Sequence, residues 1–198
     1  MLDKKMITGI LLAAGIGRRF GSQKLLAKLP SGVPVAVASW RNLKTAHDNS
    51  FAVIRHSDNP LKSLFQNENI PFVVCDDAHL GMSRSLLAGI QSSLQSSGWI
   101  IALGDMPFID PKTIQRIVLD MSVVAQKKIF RPTYHERAGN PVGLNSELLN
   151  ELVTLEGDEG AREIIKRDSN RIHHIPVDDN GILKDIDTQQ DLITGNER

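Results

Sequence analysis

The stretch Leu11-Leu12-Ala13-Ala14-Gly15-Ile16-Gly17-Arg18-Arg19-Phe20-Gly21-Ser22-Gln23-Lys24 decides how the rest of the chain is read. The apolar run Ile7 to Ala14 predicts a strand, and it passes straight into a turn carrying three glycines and three cations, Arg18, Arg19 and Lys24. Glycine lets backbone N–H groups approach a ligand closely and the cations supply charge, so the combination suits a polyphosphate. It is not a dinucleotide fingerprint, because Phe20 stands where G-x-G-x-x-G requires its third glycine. Nor is it a Walker A loop: Gln23 precedes Lys24 where glycine is required, and Leu25 follows where Ser or Thr is required. An ordinary strand-to-helix turn with surface cations is the alternative that the glycine pattern alone leaves open.

A chain of 198 residues predicts one domain spanning residues 1–198 with a full core. Lys plus Arg and Asp plus Glu number 23 each, so no global basic field collects nucleic acid and any anion site must be local. The single cysteine, Cys75, excludes an internal disulfide and a cysteine metal cluster, and fits a reducing, cytoplasmic setting. No apolar run reaches the roughly 18 residues of a membrane span, so no membrane association is expected. Met1 to Lys5 leads at once into the strand-like run with no small-residue cleavage site, which argues against a signal peptide.

Further strands are expected at Phe51–Ile54, Phe72–Cys75, Trp99–Leu103, Ile129–Arg131 and Arg171–Pro176. Helical spacing falls between them, at Pro34–Lys44, Pro60–Gln66 and Ser83–Leu94, the last with Leu86, Leu87, Ile90 and Leu94 on one stripe. Asp110-Pro111 marks a helix start that continues through Met121, and shorter helices are expected at Gly160–Arg167 and Thr188–Thr194. This alternation predicts an α/β fold, a mostly parallel central sheet with helices on both faces. Ligands bind such sheets at the carboxyl ends of the strands, where the first loop and the loop after Leu103 would meet.

That second loop reads Leu103-Gly104-Asp105-Met106-Pro107. A carboxylate at a strand end, beside a phosphate loop, is a usual Mg²⁺ anchor, completed by phosphate oxygens and water; the alternative is a turn aspartate, although Asp110 already caps the next helix. Gly81-Met82-Ser83-Arg84-Ser85 offers two hydroxyls at a helix start, for a base or ribose or simply for capping. Arg137 to Gly143 is a polar turn before a short extended run, and Gly157 to Arg162 is a loop opening a helix. Asp185 and Asp187 would share one face of a strand, where one could join Asp105 at a metal. The six histidines show no zinc-ligand spacing, and no serine sits in a G-x-S-x-G elbow.

Singly these segments are weak, but their order is specific. From about Ile7 to Leu192 the chain resembles the MobA-like nucleotidyltransferase family, and within it the molybdenum cofactor cytidylyltransferase branch. The resemblance implies a Rossmann-like nucleotidyltransferase fold and Mg²⁺-dependent transfer of CMP from CTP to the terminal phosphate of molybdopterin. It implies that Leu12, Ala13, Ala14, Gly15 and Gly17 cradle the nucleotide and that Arg19 binds the β- and γ-phosphates. Lys24 would sit on the α-phosphate, Asp105 would ligate Mg²⁺, and Asp187, ahead of Asp185, would be the second carboxylate. Gly81, Ser83 and Ser85 would lie near base and ribose, and Asn140, Asp158 and Arg162 on the acceptor side. A molybdoenzyme or its maturation chaperone would be the partner. The chain departs from the family where serine is usual (Gly17), methionine is usual (Phe20) and proline is usual (Lys28). Use of GTP, a sugar- or alcohol-phosphate acceptor, or a non-catalytic cofactor-binding role are the alternatives.

Overall fold

Residues 6–15, 20, 23–158, 160–167 and 169–194 are described by a computed structural model. The strands are β1 (Ile7–Leu12), β2 (Ser50–Arg55), β3 (Phe72–Cys75), β4 (Gly98–Leu103), β5 (Ile129–Tyr134), β6 (Arg137–Ala138), β7 (Val142–Asn145) and β8 (Ile172–Pro176). The α-helices are α1 (Val35–Ala46), α2 (Asn59–Asn67), α3 (Met82–Gln91), α4 (Pro111–Val123), α5 (Leu149–Leu152), α6 (Arg162–Arg167) and α7 (Asp191–Thr194).

All strands join one sheet in the order β3-β2-β1-β4-β7-β5-β6, with β8 also paired to β5. The chain builds outward from β1 to β2 to β3, then returns to the other side of β1 to form β4. This reversal of strand order places the ends of β1 and β4 side by side, with Leu12 level with Leu103. The pairings of β1 with β2 and β4, β2 with β3 and β5 with β8 are parallel. The expected mostly parallel sheet is nevertheless mixed, because β7 runs antiparallel to both β4 and β5. The reason is local. His135 and Glu136, both at positive φ, form a tight turn that folds β5 back onto β6. The extended run after Asn140 then enters the gap between β4 and β5.

Alternation along the strands divides the core. Leu11, Ile54, Ile100 and Phe130 pack with Trp40 and Leu43 of α1, Leu61 and Phe65 of α2, and Ile117 of α4. Ile10, Leu12, Trp99, Ile101, Ile129 and Leu144 face Leu86 and Ile90 of α3, Leu152 of α5 and Ile165 of α6. Burying each such side chain contributes about 1.5–3 kcal/mol before entropy is counted. Two expectations shift. Helix α3 stops at Gln91, so Leu94 lies beyond it and is exposed. Helix α7 begins at Asp191, whose carboxylate reaches back to accept from the Thr188 N–H and hydroxyl.

The segment after β8 crosses the carboxyl edge and is fastened at several points. Asp179 accepts from the Asp110 N–H and the Thr113 hydroxyl at the start of α4. Gly181 lies against the Phe108 carbonyl so closely that a Cβ would sit 2.1 Å from its oxygen. The Asn140 N–H donates to Ile182 O, and the Ile186 N–H donates to Asp105 O. Replacing Gly181 by alanine is therefore expected to cost about 1–3 kcal/mol, the range for overpacking. Urea denaturation of the variant measures it, and unchanged stability would mean that the segment yields without cost.

Candidate functional site

Residues far apart in the chain converge where β1 and β4 end. Lys24 opens a short 3-10 turn, Lys24–Leu26, after the glycine-rich stretch. Its Nζ donates to Asp105 Oδ2 at 2.8 Å and to Asp187 Oδ1 at 3.1 Å. Asp105 follows β4 by two residues, and the Ile186–Asp105 backbone bond brings Asp187 to the same point. The Asp187 N–H donates to Asp191 Oδ2, the same oxygen that holds Thr188, so the carboxylate-bearing turn is fixed from behind. Those hydrogen bonds hold the Asp191 carboxyl below its usual range.

The charges govern one another. Burial opposes the Lys24 charge, but the carboxylates of Asp105 and Asp187 outweigh it and hold its pKa above the ordinary lysine value. Lys24 is therefore an ammonium at neutral pH. Asp185 is pushed the other way, above the usual carboxylate range, by burial and by the negative charges of Asp187 and Asp105.

Two cavities adjoin at Leu12, Met82 and Leu103, which line both; Lys24 and Asp105 line the first, and Asp187 lines neither. The first, about 530 Å³, contains Ala14, Gly15, Lys24, Asp105, Gly81, Ser85 and Asp158 in its lining. The second, about 400 Å³, has Asn140, Arg162 and Asp185 in its lining. Most expected site residues thus divide between two adjoining chambers. Asp158 does not follow the expectation: it lines the first chamber, beside Gly81, rather than the acceptor side. Ala13 and Ser83 line neither. The Ala13 N–H is taken by Val53 O, and Ser83 gives its N–H to Gly157 O and its hydroxyl to Glu156 O. Gly17 and Arg19 lie outside the described residues.

Gly81 shows why glycine stands there. Its φ is 121°, and a Cβ would sit 2.3 Å from Gly157 O. Only a residue without a side chain lets the 157–158 turn close against α3 and wall the first chamber.

Asp105 and Asp187 both lie within hydrogen-bond reach of one ammonium nitrogen, a spacing from which two carboxylates can hold a small divalent cation. Among the described residues no group of three or more His, Cys, Asp or Glu side chains suited to a metal occurs. Two carboxylates at that spacing would leave the remaining ligands of an Mg²⁺ to phosphate and water.

Arg131 belongs to none of the sequence motifs described above. It lines the second chamber from β5, and its Nε is buried with no hydrogen-bond partner. An available signal was its position two residues after Ile129, on the core-facing register of a strand.

The model of the MobA-like NTP transferase domain matches residues 9–173. The chain is 26% identical to the nicotine blue oxidoreductase of Paenarthrobacter nicotinovorans, over 96% of each sequence. It is 24% identical to a molybdenum cofactor guanylyltransferase of Cupriavidus metallidurans, over 97% of this chain and 95% of the other. In structure it is similar to the Rv0371c protein of Mycobacterium tuberculosis, with a TM-score of 0.80 and 24% identity over 94% of this chain and 95% of that one. This last likeness shows the shared α/β nucleotidyltransferase fold.

Lys24→Met leaves Asp105, Asp185 and Asp187 without their shared cation. Asp185, already above the usual carboxylate range, loses the positive charge that holds it down, and a carboxylate with a raised folded pKa weakens the fold above that pKa and ceases to as pH falls through it. The variant is expected to lose about 1 kcal/mol at pH 7, a figure reduced for the exposure of Asp187. Between pH 7 and pH 5 it should gain more stability than the wild type does. Parallel melting curves at the two pH values, showing no such gain, would remove the carboxylate repulsion from the account.

Proposed function

The chain belongs to the MobA-like NTP transferase domain family, and from that premise we propose that it transfers a nucleotidyl group from a nucleoside triphosphate to a phosphate-bearing acceptor of the molybdopterin class. The observation that carries the reading is the Lys24 ammonium, held between Asp105 and Asp187 in the wall of the first of two adjoining chambers. One chamber lies against the glycine-rich stretch and suits the nucleotide. The other suits the acceptor.

An acceptor phosphate oxygen attacks the α-phosphorus, the bond from that phosphorus to the bridging oxygen breaks, and pyrophosphate leaves. No covalent intermediate with the protein is needed, so the protein's work is positioning and charge neutralisation. Lys24 turns from its carboxylates to the α-phosphate oxygens, where negative charge gathers. Arg19 is proposed to hold the departing β- and γ-phosphates. Backbone groups of Ala14 and Gly15, with Ser85 and Gly81, contact the nucleotide. Asp105 and Asp187 would hold Mg²⁺, which when bound offsets phosphate charge. Asn140 and Arg162 border the acceptor.

The guanylyltransferase relative supports GTP as the donor. The segments Gly81–Ser83 and Gly157–Arg162, in their order along the chain, support CTP as a second reading. One relative has an oxidoreductase name. The ammonium clasped by two carboxylates beside a phosphate-type loop favours phosphoryl chemistry in this chain.

Incubation with molybdopterin, Mg²⁺ and each nucleoside triphosphate in turn, followed by mass spectrometry, is expected to yield one dinucleotide and pyrophosphate. Lys24→Ala and Asp105→Ala should each slow pyrophosphate release by roughly two orders of magnitude or more, the scale of lost transition-state charge stabilisation. Near-normal turnover in both variants would overturn the mechanism.

A further inference from the structure

The second chamber holds charge that nucleotidyl transfer at Lys24 does not explain. Leu12, Ile101, Leu103, Val142 and Ile165 give it an apolar lining, and Arg131 stands at its β5 side. Arg131 Nη2 donates to Ala138 O at 3.2 Å, while its Nε–H is buried and donates to nothing. A buried guanidinium ordinarily has a carboxylate beside it, because removing its hydration is costly. Among the described residues no carboxylate pairs with Arg131, and the charge felt at its guanidinium is that of a second cation, Arg162. Burial and that like charge both lower its pKa, yet from so high a starting value that it stays protonated.

This pair is separate from the catalytic cluster. Asp185, in the same chamber, is influenced by Asp187, Asp105 and Lys24, whereas Arg131 is influenced by Arg162. The second chamber therefore holds Asp185 and two guanidinium groups, and among the described residues no carboxylate is paired with Arg131. A neutral ligand would leave that repulsion and the orphaned Nε–H in place. An anionic group relieves both, and a guanidinium's planar fork suits carboxylate- or phosphate-like oxygens.

We propose that Arg131 and Arg162 form an anion subsite in the second chamber, and that it selects acceptors bearing a second negative group besides the phosphate that is nucleotidylated. The role in selecting an acceptor rests on the nucleotidyl-transfer reading; the anion subsite does not. The apolar residues that line the same chamber imply an acceptor with a weakly polar body joining its anionic groups.

The direct test is an NMR titration of the full chain with inorganic phosphate, following the Arg131 Nε–H resonance, assigned by its absence in Arg131→Lys. The resonance is expected to shift saturably, and Arg162→Gln, at an exposed position, should weaken that binding by about tenfold, the scale of one lost charge-assisted hydrogen bond. A resonance that phosphate leaves unmoved, or that moves equally in Arg162→Gln, overturns the subsite. The second measurement is steady-state kinetics with molybdopterin. Arg131→Gln should raise the acceptor KM about tenfold and leave the nucleotide KM unchanged. A raised nucleotide KM instead would assign the arginines to the triphosphate and overturn acceptor selection. If no triphosphate supports transfer, the functional reading fails, and the phosphate titration still decides the subsite.

Discussion

The Lys24 ammonium between Asp105 and Asp187 is the constraint on which the site depends. Three segments distant in sequence must arrive at one point for those two bonds to form: the turn after the glycine-rich stretch, the end of β4, and the turn before α7. Each partner compensates a charge that would otherwise be partly desolvated. Asp185 adds a third carboxylate nearby, held above the usual carboxylate range by its burial and then by Asp187 and Asp105. An excess of carboxylate around one lysine suits a site that takes up a further cation along with a phosphate ligand.

The sheet explains why the convergence is possible. Reversal of strand order at β1 and β4 opens the carboxyl edge between them, and the parallel half of the sheet directs Gly15 and Asp105 to that edge. The antiparallel insertion of β7 does a different job. It carries the chain from β5 back beside β4, so that residues 138–142 border the second chamber. The segment after β8 closes the arrangement by delivering Asp185 and Asp187 across the edge. The first chamber is thus built on the parallel strands, and the second draws also on the antiparallel ones and α6.

Much of this was legible along the chain because the signals were local. Alternating strand and helix periodicity located the main elements, Asp110-Pro111 marked the start of α4, and the glycine–cation stretch with Asp105 at a strand end pointed to phosphate chemistry. Other features were not legible because their cause lies elsewhere in the fold. Asp158 looked like an acceptor residue, but Gly81 gives the 157–158 turn room to close over α3 and puts it in the first chamber. Ser83 looked available to a ligand, but the same turn consumes its N–H and hydroxyl. Leu94 fitted the apolar stripe of α3, yet the helix ends before reaching it.

The sequence by itself determined the α/β alternation, the phosphate-type loop and the residue types that neutralise phosphate charge, since each depends on neighbours within a few positions. Tertiary structure decided which carboxylates face Lys24, which chamber each loop lines, and that Arg131 Nε is buried with no partner among the described residues. Those outcomes depend on strand order, on the antiparallel course of β7 and on the backbone bonds that fasten the last segment. Residue spacing along the chain encodes none of them, because they are fixed only when distant segments compete for the same buried space and the same hydrogen-bond partners.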